Sequence, residues 1–549
     1  MPHIKNPILP GFNPDPSILR VGDDFYIATS TFEWFPGVQI HHSKDLVNWK
    51  LITRPLDRVS QLNMYGINPS GGIWAPCLSY ADGIYYLVYT NTKVGVGAIG
   101  KQTAFKDTPN YLVTAEKITG PWSEPVYLNS SGFDPSLFHD DDGRKWLVNM
   151  LWDYRINKHA FAGILLQEYD PKQEKLVGEI KNIFKGTDLE VTEGPHLYKR
   201  GGWYYLLTAE GGTSYEHAVT LARSKKIDGP YEVHPKNPVL TSVKDRVGLK
   251  QAVAQKKDLT PYLHAGLQKS GHASICEWKG NEWIMVHLCG RPLPGTIYCP
   301  LGRETSLQRV EWKDDGWLYA AAGKPELEVD FSGSNVENER KNESFTDFDE
   351  EKLPIEFQTL RMPLEDKLSL SERKGFVRLY GQESLVSRFN QTLIARRAEN
   401  FTFYAETCLE FSPKDFNTMA GLLVRYDDGN QYYLRLSKDD NGSSSLGILV
   451  YDRKRFTMPV QPEPAIAGGR VYLAVQMVYN SIQFYYSIDK ENWRSIGPIL
   501  EAKVLSDDYV QPMGFTGMFV GIACQDLNGT KHYADFDYLL YKETEKFKI

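Results

Sequence analysis

The chain has 549 residues, a net charge of −7 and no long basic run, which excludes a nucleic-acid binder that works through phosphate contacts. No window approaches 18 apolar residues, so no membrane-spanning helix is expected. The length allows two to four domains, and an aromatic share of 13% fits β-rich cores and also suits ring faces that pack on sugars.

The opening stretch, "MPHIKNPILPGF", has no charged region leading into an apolar run. No secretory leader is expected, and a cytoplasmic protein is. The six cysteines, Cys77, Cys276, Cys289, Cys299, Cys408 and Cys524, are scattered without a C-x-x-C pair. They read as reduced structural thiols rather than a disulfide framework or a zinc site.

A first hairpin is predicted from Asp15, in "DPSILRVGDDFYIATST". Its layout returns from Trp74 ("WAPCLSYADGIYYLVYTN"), Asp134 ("DPSLFHDDDGRKWLVNML"), Glu193 ("EGPHLYKRGGWYYLLTAEGG") and His272 ("HASICEWKGNEWIMVHLCGR"), at intervals of 59, 60, 59 and 79 residues. Each copy opens on a polar or aromatic residue followed by a small residue or proline. A short apolar strand, a turn ("GDD", "ADG", "DDG", "RGG", "KGN") and an aromatic-rich second strand follow. Segments between the hairpins, such as 37–52 and 216–233, also read as strands and turns. No long amphipathic helix stands out before residue 322. Five repeats of roughly 60 residues, each worth about four strands, predict a five-bladed β-propeller. A solenoid repeat is usually shorter, about 20–50 residues.

In a propeller the first strand of each blade lines the axis. The five opening residues, Asp15, Trp74, Asp134, Glu193 and His272, are then expected to meet on one rim. Crowded carboxylates perturb one another and are costly to keep without a use. Glycoside hydrolysis needs two carboxyls in different protonation states, one to protonate the leaving oxygen and one to activate water or attack. A third carboxylate nearby holds the acid's proton on. Trp74 offers an apolar wall for a sugar, and Arg291, in "CGRPL", is a candidate for binding its hydroxyls. The acidic run "HDDDG" at 139–143 resembles part of a calcium loop. It falls, however, where a hairpin turn uses Asp and Gly anyway.

From about residue 322 the text turns charged and poor in large apolar residues, as a linker does. New hairpins follow, with turn signals at Asp428-Gly429 and Asn441-Gly442, and predict a β-sandwich. The expected division is 1–321 propeller, 322–345 linker and 346–549 sandwich.

In their order, "NPDPS", "GIWAPCLSY", "GFDPSLFHDDDGRKWLVNMLWD", "TEGPHLY" and "GHASI" resemble glycoside hydrolase family 43. The long extension through "GFTGMFVGIACQDL" is similar to its β-xylosidase branch. The resemblance covers nearly the whole chain. It implies an inverting enzyme with Asp15 as base, Glu193 as acid and Asp134 as the residue that tunes the acid. It also implies that Phe32, Trp74, Trp152 and Arg291 line a sugar subsite, and that Phe515 closes it from the second domain. His272 takes the fifth ring position. No cofactor is implied as a requirement, but in some members such a histidine helps hold a calcium ion, which makes His272 the candidate metal ligand. The implied activity is exo-acting 1,4-β-xylosidase. The alternatives are α-L-arabinofuranosidase, alone or as a second activity, and a non-catalytic sugar-binding propeller. The expected partners are xylo-oligosaccharides, with no nucleic acid and no membrane, and a homo-oligomer is left open.

Overall fold

A computed structural model describes residues 3–94, 105–264, 266–279, 282–331, 336, 338–510 and 514–544. The five repeats form five separate antiparallel sheets of four strands in chain order, with a fifth short strand, Leu240–Thr241, added to blade 4 beside Ala218–Ser224. Blade 1 is Ser17–Val21, Asp24–Thr29, Gln39–Ser43 and Lys50–Thr53. The first strands of blades 2 to 5 are Gly72–Ala81, Ser136–His139, Glu193–Arg200 and Gln268–Glu277. The turns behave as their residues require. Asp82 and Gly83 both have positive φ (54° and 82°), and so do Gly201 and Gly202 (58° and 73°). Two left-handed residues in succession match the right-handed twist of a tight hairpin. Residues 280 and 281 of the fifth turn lie outside the described residues.

The long last interval has a local cause. Between blades 4 and 5 the chain adds a short strand, Leu240–Thr241, and a nine-residue helix, Arg246–Ala254, capped by the Asp245 side chain on Gly248 N–H.

Side chains at one equivalent position stitch blade to blade. Ser17 Oγ accepts Leu78 N–H at 3.1 Å, Ser136 Oγ meets His196 Nδ1 at 3.2 Å, and Ser274 Oγ accepts Ile18 N–H at 2.8 Å. The ring is buttressed where the chain enters it. His3–Lys5 pairs with Glu328–Asp330, inside the stretch expected as a linker, and Leu9 pairs with Thr305 of blade 5.

The C-terminal part is a sandwich of two antiparallel sheets. One runs through Tyr533–Lys542, Thr402–Glu410 and Arg470–Val478, and the other through Phe519–Asp526, Thr418–Asp427 and Asn430–Lys438. The two halves share a core. Trp34 of the propeller stacks on Phe519 at 3.7 Å, and Trp34–Phe35 pairs with Thr359–Leu360. Arg361, fully buried, donates to Ile67 O at 2.6 Å. One apolar cluster runs from Phe32, Trp74 and Trp152 of the propeller to Phe515 and Phe519 of the sandwich. The second half is therefore seated on the first through a shared core, which sets what it contributes to the axis.

Candidate active site

A cavity at one end of the propeller axis is lined by Asp15, Asp134, Glu193 and His272, with Phe32, Trp74, Trp152 and Phe515 around them. Eight of the nine residues expected to form the site thus meet in one place. The register of the repeat differs from the expected one. Strand pairing makes Ser17, Cys77, Ser136, His196 and Ser274 equivalent, because they face Ala28, Val88, Val148, Leu207 and Val286. Two residues earlier, the ring is Asp15, Ala75, Asp134, Gly194 and His272. All five have positive φ, between 37° and 56°. Trp74 and Glu193 sit one residue before it, at strand irregularities between Trp74 and Cys77 and between Glu193 and His196. Such bulges re-aim a side chain next to a site. The left-handed turn recurs in every blade, strained at its four non-glycine positions; blades 2 and 4 present the preceding side chain, whereas blade 5, also irregular between Gly271 and Ala273, presents His272 itself.

Gly194 occupies the crowded point of this ring. A Cβ there would lie 3.1 Å from the His272 ring. Its N–H donates to Asp134 Oδ2 at 3.0 Å. Asp15 Oδ2 accepts Ser30 Oγ–H at 2.6 Å, and Ser30 Oγ accepts Ala75 N–H at 2.7 Å. The carboxylates are therefore tied to the backbone of their neighbours.

The electrostatics follow from burial. Loss of water, then the Asp15 charge, raises Glu193 to about 8, against the opposing pull of Arg303 and Lys106. Burial, then the charges of Glu193 and Asp15, pushes Asp134 well above the usual carboxylate range. Lys106 is itself lowered to about 8 by burial. Its ammonium sits 4.6 Å from the Trp152 ring centre and 5.5 Å from that of Trp74. The cavity can thus keep a carboxylic acid protonated near neutral pH beside a second carboxyl group.

Two expectations are corrected. Arg291 does not reach the cavity. It forms a two-pronged pair with buried Glu304, at 2.6 and 2.7 Å, beneath Phe401. The cavity arginine is Arg303, twelve residues on. Its guanidinium lies 4.5 Å over Phe515, donates to Thr213 O at 3.1 Å and faces Asp507 of the second half at 3.5 Å. Nor does His272 fit a metal site. Among the described residues no three His, Cys, Asp or Glu side chains are grouped to hold an ion. Calcium takes six to eight oxygen ligands, whereas His272 offers a nitrogen, and its Nδ1 faces Asp15 Oδ1 at 3.6 Å. The acidic turn is likewise structural, with Asp140 bonded to Lys199 and to Tyr204 OH.

Lys106, Phe133, Phe161, Thr213 and Arg303 also line the cavity and were missed. None recurs in the repeat. Phe133, next to Asp134, had the only local signal. Phe515 is fixed by its N–H bond to Ser70 Oγ at 2.9 Å and lies 6.0 Å from Trp74.

Comparison with known proteins agrees with this fold. The family described as glycosyl hydrolases family 43 matches residues 4–318, and the beta xylosidase C-terminal concanavalin A-like domain matches 346–542. A crystal structure of xylan beta-1,4-xylosidase from Bacillus halodurans C-125 superposes with a TM-score of 0.91 at 51% identity, over 98% of this chain and all of that one. A beta-xylosidase of Bacillus subtilis is 50% identical, over 98% of this chain and 99% of its own. A protein named xylosidase/arabinosidase 43B from Humicola insolens is also 50% identical, over 99% and 98%.

Proposed function

The chain belongs to glycosyl hydrolases family 43 and is a glycoside hydrolase, and on that footing we propose that it is an exo-acting 1,4-β-xylosidase. It releases xylose from the non-reducing ends of xylo-oligosaccharides, with inversion. The observation that carries this reading is the single cavity in which Asp15 and Glu193 meet, where burial and then the Asp15 charge raise Glu193 to about 8.

Water attacks the anomeric carbon of the terminal sugar, and Asp15 takes its proton. Glu193 gives its proton to the glycosidic oxygen as the bond to the leaving sugar breaks. The ring passes through an oxocarbenium-like state. Exchange with solvent then returns the proton to Glu193 and removes it from Asp15. Asp134 holds the peptide that carries the acid, and Arg303 offers donors to sugar hydroxyls. Phe515, from the second half, walls the cavity, which suits a single terminal sugar. All six cysteines are unpaired, as a cytoplasmic protein's would be.

The test is xylobiose hydrolysis followed by proton NMR. The first-formed product is expected to be α-xylose, and β-xylose would overturn inversion. Asp15→Asn and Glu193→Gln are expected to lose most turnover. Glu193→Gln should recover on an aryl xyloside whose leaving group needs no acid. A second activity, on α-L-arabinofuranosides, is favoured by the name of the Humicola insolens relative. The ratio of rates on the two aryl glycosides measures it.

A further inference from the structure

A second cavity, of about 860 Å³, lies between the propeller and the sandwich, away from the acid pair. Eight Lys and Arg side chains line it, against three Glu. Some of that charge is matched. Arg291 pairs with Glu304, and Arg340 with Glu399 at 2.8 Å and with Glu543. Lys5, Lys50 and Lys341 are exposed at the rim.

Three more arginines are each more than nine-tenths buried: Arg54 at 8% exposure, Arg397 at 5%, and Arg396 at 7%, of which only Arg396 meets a carboxylate within 4 Å, that of Glu399. Arg54 spends its donors on neutral oxygens, those of Gln39 Oε1 at 2.7 Å, Phe357 O at 3.2 Å and Ile355 O. Arg397 donates to Phe12 O at 2.6 Å and to Gln358 Oε1. Glu399 is shared between Arg340 and Arg396, the latter at 3.4 Å, and Glu356 accepts from Ser344 Oγ at 3.3 Å. Three buried donors are left without a partner: Arg397 Nη2, Arg396 Nε and His41 Nδ1.

This arrangement is expensive. Burial, then the neighbouring Arg54, pulls Arg397 well below its ordinary value, and burial pulls Arg54 down to about 9. Guanidinium groups nevertheless keep their protons, so two like charges stand near each other out of water, with Glu356 beside Arg54 and Glu399 beside Arg397 offsetting them only in part. Burial and both arginines drive His41 down to about 3, which keeps it neutral. Buried charges are ordinarily paired, and an unfilled buried donor costs free energy.

We propose that this cavity binds a small, multiply charged oxyanion, a phosphate group or a polycarboxylate, through Arg54 and Arg397 with the neutral His41 ring as a third donor. Planar guanidinium forks suit two-pronged contact with such oxygens. Arg54 belongs to the propeller and Arg397 to the sandwich strand Thr392–Arg397. A bound anion therefore bridges the two halves and strengthens the interface that carries Phe515.

The experiment titrates the full chain with sodium phosphate, and separately with citrate, against chloride at matched ionic strength, read by calorimetry and thermal melting. We expect saturable binding and a raised melting temperature with at least one of them. Phosphate alone, citrate alone or both identifies the source chemistry. Arg54→Met and Arg397→Met should each weaken binding at least tenfold. Amide hydrogen exchange of the unaltered protein keeps the test sound if a variant does not fold. Protection should fall on segments 39–54 and 391–400. Failure of both anions to exceed chloride overturns the proposal. So does binding that D-xylose displaces, or protection that falls around Glu193 and Arg303 instead. Because no xyloside is needed for these readouts, the outcome is separable from that of the proposed activity.

Discussion

The backbone N–H of Gly194 donates to Asp134 Oδ2 at 3.0 Å, so a carboxylate of blade 3 grips the peptide that carries Glu193 of blade 4. The two acidic residues are linked through a backbone group, beyond any contact between their charges. Asp134→Ala removes both charge and acceptor. It should lower kcat by about 10²–10⁴-fold, the usual worth of positioned acid–base catalysis, with a smaller change in KM. Asp134→Asn keeps an acceptor oxygen and should lose less. Steady-state kinetics on one aryl xyloside compares them, and equal losses would deny the hydrogen bond a role.

An acid must hold its proton to work. Burial and the Asp15 charge place Glu193 at about 8, so kcat/KM should fall as pH rises through about 8. Lys106 opposes that elevation. Lys106→Met should therefore move the alkaline limb to higher pH, and an unmoved limb would refute the assignment of Lys106 to the site's electrostatics.

The same shift has a sign for stability. Glu193 is raised from an ordinary 4.5, so its proton contributes stability that is fully present below that value and lost as pH rises through about 8. Glu193→Gln carries no titrating group. Urea midpoints should favour the Gln variant increasingly over this window. Parallel midpoint curves would show that the carboxyl is not held protonated.

Arg303 depends on the second half of the chain. Asp507 Oδ2 lies 3.5 Å from its Nε, and Asp507 also faces Lys269 Nζ at 3.4 Å. Asp507→Asn should loosen Arg303 and raise KM for xylobiose about tenfold, since one group held to hydrogen-bond a substrate hydroxyl is worth at least that much. Phe515→Ala should raise KM similarly by opening the wall. A variant of either kind with unchanged KM would remove the second half from substrate binding.

Arg291→Met tests the corrected arginine. It leaves Glu304, which is 0% exposed, as an unpaired buried charge. That typically costs about 3–5 kcal/mol. A large drop in the unfolding midpoint is expected, with kcat/KM nearly unchanged at low temperature. A selective loss of kcat/KM would instead return Arg291 to the sugar site.

How far the site was readable depends on how local its signals were. Asp15, Asp134 and Glu193 stand at repeat starts, each followed by Pro or Gly, and hairpin turns mark the period. Their convergence follows from the blade repeat. The off-by-one register at Trp74 and Glu193 was not readable, because intervals of 59 and 60 residues hide strand irregularities that only the pairing of Cys77 with Val88 and His196 with Leu207 reveals.

The sequence by itself determined the all-β class, the five blades, the sandwich after them and the three carboxyls, because turn chemistry and strand alternation act between near neighbours. Which arginine lines the cavity is settled only in three dimensions. Arg291 and Arg303 look alike in the text, but Glu304 claims the first, and Asp507, Phe515 and Thr213 hold the second. Charge pairing and ring packing act across space, between residues that the chain keeps far apart, and leave no mark on the local pattern.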